Sequence, residues 1–354
     1  MRGEAELPPG RSAANRAPMP ADRPHAFPVL LADIGGTNSR FAILPSADAA
    51  AVELPPVRTS AFPSIEAAIA AAVPNEVAKP VSAVLAVAGP VDGDEIDLTN
   101  SHWVIRPKDV MNATALRSVT VLNDFEAQAL AVAGMPDEFL VDLGGDRALE
   151  NETRVVVGPG TGLGVGSLVR AGGRWVPVPG EGGHVDLGPR DKRDEAVWPH
   201  LERIDGRISA EQLLCGRGIT NLYRGVCAAH GDAPVLEGPP AITEAAVERT
   251  DPHAIEALDL FAIHLGRVAG DCALTVMATG GVFISGGIGQ HIVGILRAGL
   301  FREAFVDKAP HRAIMEQIAT KLVVQPLAAL SGLAAYARHP ERFEVAIAHR
   351  NWTI

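Results

Sequence analysis

The chain has 354 residues and a formal net charge of −11, which argues against a nucleic-acid partner because a phosphate backbone calls for a clustered basic face. The length allows two domains, since single cores stop growing at about 250–300 residues. Cys215, Cys227 and Cys272 are too few and too scattered for a disulfide framework or a Cys-rich zinc site, and they suit a reduced, cytoplasmic protein.

Residues 1–28 hold six prolines and four arginines among small residues and lack the apolar core of an export signal. They are predicted to form a disordered N-terminal extension. The first element follows at once. Val29–Ala32 and Phe41–Leu44 are short apolar runs flanking Asp33-Ile34-Gly35-Gly36-Thr37-Asn38, a pattern that reads as a hairpin. Its turn is also a good phosphate cradle, because backbone N–H groups can converge on an anion without Cβ atoms in the way, and Thr37 and Asn38 add donors. A carboxylate in that cradle would repel phosphate, so Asp33 makes more sense holding Mg²⁺, directly or through water. An ordinary tight hairpin fits the same residues.

Ile65, Ala68, Ile69 and Ala72 recur at helical spacing, with Pro74 closing the segment. Val81 to Ala88 is the continuous apolar run of a strand buried on both faces. Val119–Leu122 is a strand, and the stretch from Phe125 to about Ala133 is a helix. Asn123 and Asp124 therefore sit at the carboxyl end of a strand, where open α/β sheets place ligands. Asn or Asp at this position also serves as a plain helix cap.

From Arg154 the hairpin pattern returns: Val155–Val157, then glycines at 158, 160, 162, 164 and 166 around Thr161, then Ser167–Val169. Glycine on every second residue fits neither the dinucleotide fingerprint nor the P-loop. It resembles a phosphate clamp, although a flexible loop has the same composition. In Pro179-Gly-Glu-Gly-Gly-His184, Glu181 and His184 can aim into one pocket and exchange hydrogen bonds with hydroxyl groups. Ser209-Ala-Glu211-Gln212 has the form of a capping box, predicting a helix from Leu213-Leu214. Asp251-Pro252 opens the longest helix, with Ile255, Leu258, Ala262, Leu265 and Val268 on its apolar face. Val282–Ser285 is a strand between Gly280-Gly281 and Gly286-Gly287, bare enough to admit adenine and ribose. A last helix is predicted from Leu327 to Arg338. The uncharged run Cys272–Leu296 has the length of a membrane span, but six glycines interrupt it, so no membrane role is expected.

Taken in order, the motifs Asp33–Asn38, Asn123-Asp-Phe125, Gly160-Thr-Gly-Leu-Gly164, Pro179–His184 and Gly280–Gly287 resemble those of the bacterial glucokinases, in the sugar kinase and actin-like ATPase superfamily. The similarity runs from about residue 29 to 338. It implies an α/β fold of two related domains, ribonuclease H-like, with an interdomain cleft. These would comprise 29–133 plus about 326–340, and 134–325, followed by a tail at 341–354. It further implies ATP-dependent phosphorylation of the glucose 6-hydroxyl with Mg²⁺ as cofactor, and a homodimer. Asp124 would be the catalytic base, and Asn100, Asn123, Glu181, His184 and Glu211 would bind the sugar. Asp33, Gly35, Gly36, Thr37, Asn38, Gly160, Thr161 and Gly162 would hold phosphates and metal, and Gly280, Gly281, Gly286 and Gly287 the adenosine. Cys215-Gly-Arg-Gly218, on the nucleotide side, departs from the Ser-Gly-Pro-Gly that the resemblance implies. The alternatives are a kinase for another hexose and a sugar-sensing regulator of the same fold. No helix-turn-helix with a basic recognition helix precedes the kinase-like region, which weighs against the regulator.

Overall fold

The computed structural model describes residues 25–74, 78–98 and 101–353. Two mixed sheets organise them. In the first, the strand order is Asn351–Thr353, Ser118–Asn123, Ser82–Val87, Val29–Ile34, Asn38–Leu44 and Val52–Glu53, with Val57–Arg58 also on Asn38–Leu44. In the second it is Arg174–Gly180, Leu163–Ala171, Arg154–Pro159, Val282–Ile284, Thr320–Val323 and Leu140–Gly144.

The sheets repeat one plan. Val29–Ile34 pairs antiparallel with the next strand in sequence and parallel with Ser82–Val87. Arg154–Pro159 likewise pairs antiparallel with Leu163–Ala171 and parallel with Val282–Ile284. The first hairpin has the expected register, Val29 opposite Leu44 through Ile34 opposite Ser39.

Val29 and Leu31 point into one core while Leu30, Ala32 and Ile34 point into another. Both faces of the strand are buried, so its sequence is continuously apolar. The core shared by the sheets joins Leu31, Ala86 and Leu122 to Val156, Phe283 and Val323 through the helices Asp124–Val132 and Ala328–Arg338. Those helices approach very closely at Gly332, where a Cβ would lie 1.9 Å from the Ala127 carbonyl oxygen. The longest helix is Pro252–Val276, and the Asp251 carboxylate caps it by accepting the Ala254 N–H at 2.7 Å. Leu258, Ala262, Leu265 and Val268 of the predicted face are buried, and Ile255 is half-buried.

Three boundaries differ from the sequence reading. The expected extension to residue 28 gives way by His25, which is buried against the Tyr336 ring. The Ala26 and Pro28 carbonyls accept hydrogen bonds from Ser82 Oγ and the Val81 N–H, both at 2.8 Å. Four residues that complete these strand ends are masked by the Pro- and Arg-rich composition before them. The expected tail also contributes a strand, since Asn351–Thr353 pairs antiparallel with Ser118–Thr120 and Trp352 fills a core. Finally, no helix begins at Leu213. The Gln212 side chain does reach back to the Ser209 N–H at 2.8 Å, but the chain turns and the helix runs Gly216–His230. Cys215 caps it, with Sγ accepting the Gly218 N–H at 3.4 Å. The cysteine thus takes the acceptor position that a serine would fill, and the departure at 215 leaves a capped helix.

Candidate active site

Between the sheets lies a cavity of about 310 Å³. Its lining brings together Asp33, Gly35 and Gly36 of the first hairpin and Asn123 and Asp124 at the end of a strand. Gly160, Thr161 and Gly162 of the second hairpin, with Glu181, His184, Glu211 and Gly286, complete it. A larger cavity of about 930 Å³ adjoins it at Gly160 and Thr161. Pro239, Pro240, Val247 and Ile288 give this one apolar walls, with Gly216, Arg217, Gly287 and His291 beside them.

Asn123 caps the helix that follows it. Its Oδ1 accepts the Phe125 and Glu126 N–H groups at 2.8 and 3.3 Å, and Glu126 Oε2 accepts the Asn123 N–H at 3.0 Å, completing a capping box. Asn123 Nδ2 donates to the Gly89 carbonyl at 3.2 Å. The helix-cap reading of Asn123 therefore holds, and it does not exclude a ligand role, because the amide retains a second N–H. Asp124 is the first helical residue, and its Oδ1 accepts the Phe125 N–H at 3.0 Å.

The acids in the cavity act on one another. Burial, then the nearby charge of Asp33 and more weakly that of Glu181, push the Asp124 carboxyl up to about 7. Burial also raises Asp33, partly offset by the Arg40 guanidinium 3.4 Å away. Two carboxylates that resist joint ionisation favour a bound cation. No group of three or more His, Cys, Asp or Glu that could hold a metal occurs among the described residues. Magnesium needs no such cage, since it is commonly held by one or two carboxylates, water and substrate phosphates, so the residues fit it.

Glu211 ties the second glycine turn to the 181–184 loop. Its Oε2 accepts the Leu163 N–H at 3.0 Å, while its own N–H donates to the Gly183 carbonyl at 2.8 Å. Glu181 and His184 are exposed at the cavity wall, with His184 Nε2 3.7 Å from Glu181 Oε2. In the two turns, the N–H groups of Gly36, Thr37, Thr161 and Gly162 make no hydrogen bond within the described residues and are available to an anion.

Several expected site residues lie elsewhere. Asn100 falls outside the described residues. Thr37 and Asn38 are exposed on the hairpin turn and do not line the cavity, since the turn projects past the point where Gly35 and Gly36 face it. Gly280 and Gly281 are not brought to the cleft. They lie at the amino end of Val282–Ile284, where the Gly280 N–H bonds the Thr153 carbonyl at 2.9 Å, and only Gly286 and Gly287 reach the cavities. A strand separates the two glycine pairs, so they lie at its opposite ends.

The alternating glycines of the second hairpin also have a second purpose. Gly158 and Gly164 pair across it, and a Cβ on either would fall 2.4 and 1.8 Å from the Phe125 ring. One face of the hairpin is bare so that Phe125, beside Asp124, can lie on it. Sequence reading missed this, as it missed Glu126 and Gln128. The capping-box spacing of Asn123 and Glu126 signals the first of those; nothing signals Gln128, which lines the cavity.

Comparison with known proteins gives the family and the fold. Residues 30–340 match the glucokinase family model. A glucokinase of Sinorhizobium medicae is 54% identical over 336 residues, covering 95% of this chain and 99% of the relative. The crystal structure of a glucokinase from an Antarctic psychrotroph superposes with a TM-score of 0.77 at 32% identity, covering 88% of this chain and 98% of that one. Two more distant structures share the fold. A Balamuthia mandrillaris glucokinase in complex with glucose has a TM-score of 0.73 at 22% identity, covering 88% and 93% of the two chains. A Streptomyces griseus ROK family glucokinase in complex with glucose and AMPPNP has a TM-score of 0.56 at 20% identity, covering 88% and 99%. The fold is that of the actin-like ATPase sugar kinases, and the chain belongs to the glucokinase family.

Proposed function

We propose that this protein transfers the γ-phosphoryl group of ATP to the 6-hydroxyl of glucose, giving glucose 6-phosphate and ADP. The observation that carries the reading is Asp124, a carboxyl raised to about 7, facing a cavity between two glycine turns with free N–H groups. A base poised near neutral pH is suited to receive a hydroxyl proton as the oxygen attacks phosphorus.

In this reading glucose occupies the smaller cavity, with Glu181, His184 and Asn123 bonding its hydroxyl groups. Asp124 orients the 6-hydroxyl in line with the γ-phosphorus and takes its proton. The leaving oxygen departs with ADP. Because the transition state is loose, orientation counts as much as basicity. The N–H groups of Gly36, Thr161 and Gly162 hold the phosphates, and the larger cavity takes adenosine between its proline and aliphatic walls. Asp33 would hold Mg²⁺, which supplies neutralisation of the phosphate charge when bound. Glu211 sets the spacing between the phosphate turn and the sugar loop. Two domains, one on each sheet, would close over glucose and exclude water, suppressing ATP hydrolysis. A homodimer and a cytoplasmic location belong to the same proposal; no helix among the described residues is long and apolar enough to cross a membrane.

The test is ADP formation by the purified protein with glucose, mannose and fructose. Strong dependence on glucose supports the reading. A preference for mannose or fructose would make it a kinase for another hexose, and no sugar dependence would refute it.

A further inference from the structure

We infer that Arg350 is a positioning residue for phosphoryl transfer: through the buried carboxylate of Glu126 it fixes the turn at Asn123 that aims Asp124 into the cleft. The inference rests on the proposed kinase reading. Its starting point is a side chain that reading does not use. Glu126 is fully buried, yet it lies two residues from Asp124 on a helix that faces apolar residues. A buried carboxylate persists only when paired and hydrogen-bonded.

Glu126 is held on both sides. Arg350 Nη1 donates to Oε2 at 2.5 Å and Nη2 to Oε1 at 3.1 Å, a two-pronged guanidinium grip. The same Oε2 accepts the Asn123 N–H at 3.0 Å, and Asn123 Oδ1 returns to the Glu126 N–H. Arg350 itself is fixed by three contacts. Its carbonyl accepts the Val121 N–H at 2.9 Å, its Nε donates to the Ala346 carbonyl at 2.7 Å, and the next residues pair with Ser118–Thr120.

The chain of contacts therefore runs from a distant segment, through one buried carboxylate, to the backbone turn that carries Asp124. With Arg350 absent, Glu126 would lose its guanidinium partner and would move toward water, which releases the Asn123 N–H and loosens the turn. Displacements of about 1 Å at a catalytic group cost on the order of a hundredfold in rate, while substrate contacts made by other elements persist. Glu181, His184 and the glycine turns are carried on other segments, so binding should survive.

The experiment compares Arg350→Ala, Arg350→Lys, Glu126→Leu and the double variant Glu126→Leu/Arg350→Ala with the wild-type chain, by steady-state kinetics below each melting transition. Expected for Arg350→Ala is a kcat roughly tenfold or more lower, with KM for glucose and ATP within about twofold. Arg350→Lys should recover most of the loss, and the double variant should be no worse than Arg350→Ala alone, because the two residues act as a unit. Wild-type kcat in folded Arg350→Ala, or losses that multiply in the double variant, would overturn the inference. Should Arg350→Ala not fold, unchanged kcat in Glu126→Leu decides against it. A readout independent of activity separates this from the kinase reading. The amides of Asn123 and of residue 126 should exchange with solvent roughly tenfold faster in Glu126→Leu or Arg350→Ala; equal exchange contradicts the inference whether or not the wild type phosphorylates glucose.

Discussion

The two glycine hairpins share one topology and use their glycines differently. In the first, Asp33 stands at the mouth of the turn, and Gly35 and Gly36 face the cavity. In the second, the position before the turn is Gly158, and Gly158 and Gly164 are bare because the Phe125 ring lies on them. The first hairpin thus brings a charge to the site, whereas the second brings a seat for the helix that starts at Asp124. Glycine content alone does not separate a ligand cradle from a packing surface; what a Cβ would meet does.

The largest effect that follows concerns charge. If burial and the nearby Asp33 charge hold the Asp124 carboxyl near 7, then kcat/KM for glucose should fall below that pH by about tenfold per unit, or roughly a hundredfold by pH 5. An acid limb near 4 would contradict the assignment. The stability sign is opposite. A carboxyl raised on folding adds stability below about pH 4, and that contribution is lost as pH rises through about 7 in the ligand-free protein.

Gly164→Ala should come next. Its Cβ would sit 1.8 Å from a ring also confined by Gly158, so overpacking of about 1–3 kcal/mol is expected in chemical denaturation. An unchanged midpoint would show that Phe125 is not seated there. Asp33→Asn removes the neighbouring charge, and the acid limb should move down even as activity drops; a limb that stays in place would assign the raised carboxyl to burial alone. Smallest in stability is Gly160→Ala, whose Cβ would have nothing nearer than 3.9 Å. Unfolding should shift by less than about 0.5 kcal/mol, while KM for ATP rises several-fold if phosphate sits against that turn. A normal KM would remove Gly160 from the clamp.

Much of the fold was legible because it is written locally. The strand Ser82–Val87 is apolar throughout, the helix Ile65–Ala72 buries the four residues its periodicity names, and Asp251-Pro252 opens the long helix. Asp124 could be placed because a strand-to-helix junction is a local pattern. Elements that depend on distant partners were hidden. Asn351–Thr353 is too short to signal a strand and forms one only because Ser118–Thr120 offers an edge. Ser209–Gln212 satisfies half of a capping box, yet its backbone is drawn into the cleft by the Glu211 bonds to Leu163 and Gly183. The Gly280–Gly287 motif is contiguous in sequence, yet the strand Val282–Ile284 holds its ends apart.

The most direct test of the central claim is Asp124→Asn, which keeps size and the helix start while removing the base. Glucose-dependent ADP formation should fall by at least about a hundredfold, with glucose binding by calorimetry retained. Near wild-type turnover in that variant would show that Asp124 is not the residue that receives the proton.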